Sequence, residues 1–240
     1  MKKYIIAAII VGVITAFILM PRKEEPQGVF FANAQEAPQY DRHSDSIEVE
    51  VVKEKTDSVI EEEKSLKTYK EISYPTPNYA EGRRNSVEGV ILHHTAEPTI
   101  ERSLGVLTSL KKKVGTHCVI DLDGTRYKMC KPEVVTYHAG YSVLNGKENC
   151  NNFTIGIEFQ GNTLENPLTE DQINSAIEYL LPIMAKYNIP VSNVVSHEMV
   201  RKAYKRRYPN KRCSGKVDIT PTEYNRFMKE LKRAINDGKE

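Results

Sequence analysis

From Tyr74 to the end of the chain, short apolar runs alternate with stretches that repeat apolar residues at helical spacing. That alternation admits few folds, because apolar runs bounded by turn residues read as strands, 3.6-residue periods read as helices, and the two interleaved give a sheet covered by helices. The expected strands are Val87 to His94, a hairpin of His117 to Asp121 and Thr125 to Met129 around Asp123-Gly124, Thr154 to Gln160, and Asn193 to Ser196. The expected helices begin with Thr99 to Lys113. A second opens on Thr169 and Gln172 as a capping box and carries Ile173, Ala176, Ile177, Leu180, Leu181 and Met184 on one face, with Pro182 expected to kink or end it. The last opens on Thr220-Pro221-Thr222-Glu223 and buries Tyr224, Phe227, Met228 and Leu231. The predicted architecture is α/β, a central mixed β-sheet flanked by helices, in one domain over residues 74–240.

The segment before Tyr74 has a different character. Met1-Lys2-Lys3, the apolar run Tyr4 to Met20 and Pro21-Arg22-Lys23 have the positive start and the length of a membrane-directing segment, so 1–23 is expected to be a signal peptide or signal anchor. Ala32-Asn33-Ala34 is a small-x-small site unusually far beyond that run, which favours retention and a membrane contact through the uncleaved segment. Residues 24–73 are rich in Glu, Lys, Ser and Gln, with too little apolar surface to offset the entropy of ordering, and read as a tether. The expected location is the cell envelope, periplasmic or extracellular. A net charge of +2 gives no electrostatic ground for a nucleic-acid partner. The four cysteines form no C-x-x-C pair; Cys118 and Cys130 flank the hairpin turn and could lie nearly opposite each other, where an oxidising compartment allows a disulfide, while buried free thiols are the plainer reading of them.

Three places offer side chains that bind zinc: His93 or His94 at the end of a strand, His197 directly after Val194-Val195-Ser196, and Cys213 in Lys211-Arg212-Cys213. Three protein ligands and an open fourth position are what a catalytic zinc needs, and strand ends hold side chains rigidly at the edge of a cleft. His197-Glu198-Met199-Val200-Arg201 is not the metalloprotease motif, since Arg201 stands where a second histidine is required.

The order of motifs then carries a resemblance. Val90-Ile91-Leu92-His93-His94-Thr95, Thr116-His117-Cys118-Val119-Ile120-Asp121-Leu122-Asp123-Gly124, His138-Ala139-Gly140, Asn152-Phe153-Thr154-Ile155-Gly156-Ile157-Glu158, Ser196-His197 and Lys211-Arg212-Cys213 resemble the zinc-dependent N-acetylmuramoyl-L-alanine amidases, a group that includes peptidoglycan-recognition proteins, and among them the anhydro-muropeptide branch. The resemblance implies one catalytic Zn2+ held by His93, His197 and Cys213, with His94 a neighbour. It implies Glu158 as general base, Lys211 as the oxyanion-stabilising lysine two residues before the third ligand, and His138 and Asn152 as substrate contacts. Thr116 stands where other branches carry a tyrosine, which leaves the base role to Glu158. Alternation along the strand turns Thr154, Gly156 and Glu158 to one face and Ile155, Ile157 and Phe159 to the other. The implied function is hydrolysis of the amide joining N-acetylmuramic acid to L-alanine in peptidoglycan or muropeptides; the alternative is a recognition module that binds the same material without cutting it. The Lys- and Arg-rich stretch from His197 to Cys213 is longer than the family's link, an insertion compatible with an intact site only if it loops out, and Ser214-Gly215 replaces the usual proline.

Overall fold

The computed structural model describes residues 68–83, 86–213 and 218–238. The expected membrane segment and most of the expected tether lie outside the described residues, and among those described no helix is long and apolar enough to cross a membrane. In chain order the elements are β1 (Glu71–Ser73), β2 (Tyr79–Arg83), β3 (Gly89–His94), α1 (Ile100–Leu107), β4 (Cys118–Ile120), β5 (Arg126–Lys128), β6 (Val134–Thr136), β7 (Val143–Leu144), β8 (Lys147–Glu148), β9 (Thr154–Phe159), α2 (Glu170–Tyr187), β10 (Val194–Ser196), α3 (His197–Arg207) and α4 (Pro221–Asp237).

A six-stranded mixed sheet in the order β1-β5-β4-β9-β3-β10 forms the centre. Its middle is parallel, β4 to β9, β9 to β3 and β3 to β10, while β4 and β5 make the expected antiparallel hairpin. The period-two alternation sorts the strands by face. Val90, Leu92, Ile155, Ile157 and Phe159 pack with Ile173, Ala176 and Leu180 of α2 and with Phe227 and Leu231 of α4. On the opposite face Ile91 joins Val195, Val200 and Phe153 in a smaller cluster, and Val119 joins Leu104, Leu107 and Met129 in another. The face under α2 and α4 is thus mainly apolar, with Arg126 and His94 as buried polar members at its margins, and the other is left in part for polar chemistry.

Four expectations change. First, β1 lies within the stretch read as tether. It pairs in parallel with β5, Lys70 O accepts the Arg126 amide, and the buried Arg126 meets Glu71 at 3.3 Å and Glu178 at 2.9 Å. An edge strand needs few apolar residues, so its sequence resembles a solvated segment. Second, α1 stops at Leu107 rather than Lys113, because Thr76 Oγ1 and Asn78 Nδ2 donate to Leu107 O and satisfy the helix end. Third, α2 continues through Pro182 to Tyr187; that proline is exposed, so water can reach the carbonyl whose partner N–H is missing. Fourth, the stretch after His197 does not loop out but forms α3, held to the sheet through Val200, with Tyr204 buried four residues on against Tyr141. The four cysteines are free, and the hairpin register sets Cys118 opposite Lys128 rather than Cys130.

A protein beginning at Tyr74 should therefore unfold at a lower temperature than one beginning at Thr68. Removing β1 exposes Arg126 and unpairs one side of β5, and a loss of about 2 kcal/mol in a domain of this size lowers Tm by roughly 4–8 °C. Equal melting of the two by circular dichroism would return residues 68–73 to the tether.

Candidate metal centre

Parallel register builds the site. His93 of β3 is the register partner of Glu158 of β9, and Leu92 is the partner of Ser196 of β10, so His197 leaves β10 beside His93. Neighbours in one row of a parallel sheet point to the same face, here the one not covered by α2 and α4. His93 is 2% exposed and Glu158 8%, at the floor of a cavity of about 310 Å³ that His138, His197 and Asp218 also line.

The sequence-expected residues do not all meet there. His93 and His197 come together with Asp218, and one ligand atom of each lies within 4.8 Å of the others. Cys213 is corrected out of this set, since its Sγ lies 3.9 Å from Tyr141 O and Asp218 takes the third place. The physical reason lies in how Asp218 is held. Its Oδ1 accepts from the backbone N–H of His94 at 2.8 Å and of Ile219 at 3.2 Å, just ahead of the Thr220 cap of α4. Its Oδ2 is left facing His197 Nδ1 at 2.7 Å and His93 Nδ1 at 3.3 Å. Burial opposes its charge, but when the two imidazoles carry protons on Nδ1 they outweigh burial and hold the carboxyl far below the usual carboxylate range; a cation bound to the neutral rings would take the place of those protons.

The far sides of both histidines are fixed by acceptors. His197 Nε2 donates to Ala139 O at 3.1 Å. His93 Nε2 lies 3.3 Å from His138 Nδ1, and His138 Nε2 lies 3.4 Å from Thr154 O. A carbonyl only accepts, so the chain runs in one direction: His138 donates from Nε2 to Thr154, accepts at Nδ1 from His93, and leaves His93 Nδ1 with a lone pair. Both Nδ1 atoms are thereby presented to the carboxylate oxygen. Two imidazole nitrogens and a carboxylate, each oriented by an outer partner, suit a divalent metal with one position open to substrate.

The remaining expectations divide. His94 is a neighbour, as expected: its ring turns to Thr163, with Nδ1 accepting the Thr163 amide at 3.0 Å, and its own amide holds Asp218. His138 borders the cavity, but its contacts make it a support for His93 before anything else. Asn152 is exposed, whereas Asn151 lines the cavity and accepts the amides of His138 and Ala139 on Oδ1. Lys211 does not join the cluster; its Nζ sits 4.5 Å from the centre of the Tyr208 ring. The sequence signal for Asp218 was its place just before the Thr220-Pro221 helix start, where a chain end is anchored to the sheet.

Gly156 carries this support. A Cβ there would stand 2.7 Å from His138 Cγ and Nδ1, and 2.9 Å from Thr116 Oγ1, which donates to Gly156 O. Gly156→Ala should displace His138 and lower divalent-metal affinity by about 10- to 100-fold, the usual effect of disturbing a ligand's outer partner. Titration calorimetry checks this, and unchanged affinity in a folded variant would remove His138 from its supporting role.

Residues 83–216 match the family described as N-acetylmuramoyl-L-alanine amidase. The 1,6-anhydro-N-acetylmuramyl-L-alanine amidase AmpD of Haemophilus influenzae is 36% identical over 86 residues, 35% of this chain and 46% of that protein. The N-acetylmuramoyl-L-alanine amidase AmiD of Escherichia coli is 26% identical over 137 residues, 51% of this chain and 49% of that protein. The chain spans about half the length of these curated relatives. The solved structure of PlyL superposes with a TM-score of 0.50 at 16% identity, covering 69% of this chain and 97% of that one, a likeness of fold.

Proposed function

We propose, since this chain belongs to the N-acetylmuramoyl-L-alanine amidase family, that it hydrolyses the amide between N-acetylmuramic acid and L-alanine in peptidoglycan or muropeptides, as a zinc enzyme. The observation that carries this reading is the convergence of His93, His197 and Asp218, with Glu158 in the same row of the sheet. When bound by these three side chains, zinc supplies acidified water and a polarised carbonyl.

The rest is work for the chain's own residues. Glu158 takes a proton from the attacking water and returns it to the departing alanine nitrogen, the task of a positioned carboxylate in a cleft. His138 and Ala139 O fix the tautomers of the two histidines, and the His94 and Ile219 amides keep the Asp218 carboxylate turned inward. The oxyanion-stabilising lysine is expected two residues before the third ligand. With Asp218 in that place the spacing falls on Lys216, outside the described residues, instead of Lys211. A cell-envelope location is part of the proposal and is supported by the Tyr4 to Met20 run alone; fractionation of cells expressing the full chain tests it.

Three experiments test the reading. Asp218→Ala should lose bound zinc and amidase activity together, while Cys213→Ala keeps both, as read by elemental analysis and product mass spectrometry. Zinc loss from the cysteine variant, or a fully active metal-free protein, would overturn the ligand assignment. Zinc retention without any product would favour a recognition module. Glu158→Gln should lower kcat by about 100- to 10,000-fold, the range for a lost general base, with zinc content and KM little changed. Lys216→Met should lower kcat by about 100- to 1,000-fold, as for a lost oxyanion donor, and Lys211→Met should leave turnover of a small soluble muropeptide near the starting value. The reverse order of the two lysines would restore Lys211 to the chemistry.

A further inference from the structure

Beside the catalytic cavity lies a second one, of about 460 Å³, lined by Tyr141, Tyr204, Lys211, Glu148 and Asn149. Gly140 and Asn151 border both, so the two hollows adjoin along the His138–Tyr141 segment. The mechanism above uses none of the residues particular to the second hollow.

Its centre is an aromatic shelf. The Tyr141 ring is stacked on Tyr204, with centroids 5.2 Å apart and planes 20° apart, and Tyr204 is backed in turn by Tyr208 at 4.9 Å. Tyr204 is 4% exposed, while Tyr141 is 66% exposed. One face of Tyr141 is therefore held by a buried ring and the other is turned to solvent. An exposed tyrosine braced in this way has lost its rotamer freedom already, so a ligand on its open face costs little further ordering. The open face is electron-rich and flat, and it suits the C–H face of a sugar ring, whose C–H bonds carry slight positive charge. Around it stand an amide, a carboxylate and an ammonium group for hydroxyl, N-acetyl and carboxylate substituents. The ammonium is that of Lys211, which has no carboxylate partner among the described residues; its Nζ lies over the Tyr208 ring. α3 is what brings this shelf to the cleft, because Tyr204 lies on it, Tyr208 caps its end four residues later, and its first residue is His197.

We propose that this shelf is a saccharide subsite, which binds an N-acetylhexosamine unit of the glycan strand adjacent to the unit whose amide is cut. The inference rests on the amidase reading above. It makes the enzyme prefer strand-borne substrate over a single muramoyl-peptide, through binding and not through chemistry.

The test compares two soluble substrates with the same stem peptide, one on a lone N-acetylmuramic acid and one on a glycan fragment of four or more sugars in the general size range of such a paired cleft. Full-length protein, Tyr141→Ala, Tyr141→Trp and Lys211→Ala are assayed on both. Tyr141→Ala should raise KM for the glycan fragment about tenfold, a loss typical of one aromatic stacking contact, with kcat and bound zinc unchanged. Its kinetics on the lone muramoyl-peptide should stay within about twofold of wild type, Tyr141→Trp should keep the preference, and Lys211→Ala should weaken it. Equal losses on both substrates, or none on either, would overturn the subsite while leaving the amidase reading intact. A wild-type protein that cuts neither substrate would overturn the amidase reading and the subsite with it.

Discussion

The arrangement depends on the parallel pairing of β9, β3 and β10. In a parallel sheet the register fixes which side chains share a row and a face, and here that row contains Glu158 and His93, with His197 stepping off β10 beside them. A shift of one residue in either pairing would send a histidine or the glutamate to the face packed by α2 and α4, away from the other members of the cluster and into a mainly apolar layer. The same alternation that buries Leu92, Ile157 and Phe159 presents His93 and Glu158 to the cavity, so the hydrophobic core and the candidate site are enforced by one geometric rule.

Around that row a set of hydrogen bonds converts flexible side chains into a fixed donor set. Asp218 gives one oxygen to two backbone amides and the other to two imidazoles. The imidazoles are held from behind by Ala139 O and His138. Asn151 orders the His138–Ala139 turn, and the missing side chain of Gly156 leaves room for the His138 ring. A buried carboxylate beside two neutral rings is costly alone, and a bound cation with one open position relieves that cost. These outer contacts preorganise the three candidate ligands, because loosening any one of them frees a side chain to rotate.

α3 joins two roles through one short helix. Its first residue belongs to the candidate donor set, and Val200 seats it on the sheet against Ile91 and Val195, with Tyr204 buried on the same stripe. Beyond that stripe its surface is basic, and Tyr204 braces Tyr141 at the rim of the neighbouring hollow. Metal site and adjoining shelf are therefore positioned by the same packing contact.

Much of this was legible in the residues alone. The apolar alternation located β3, the β4–β5 hairpin, β9 and β10, capping chemistry located α2 and α4, and periodicity assigned the faces of β9, because these signals are local and each reports one residue's immediate surroundings. His197 and the pair His93 or His94 were found as strand-end residues by the same logic, while the choice of His93 and the role of Glu158 rested on the family resemblance. The third member of the metal group was not found, since Cys213 and Asp218 are both good ligands separated by five positions, and sequence order carries no information about which of them a chain reversal returns to the sheet. That choice was made by the His94 amide and the start of α4, which are distant from each other in sequence. The edge strand β1 was hidden for a related reason: strand pairing satisfies backbone groups whatever the side chains are, so a polar stretch can complete a sheet without announcing it. What the sequence determined by itself was the local periodicity and the chemical repertoire, and what only the tertiary structure decided was which of those groups face one another, because that depends on register and on long-range hydrogen bonds.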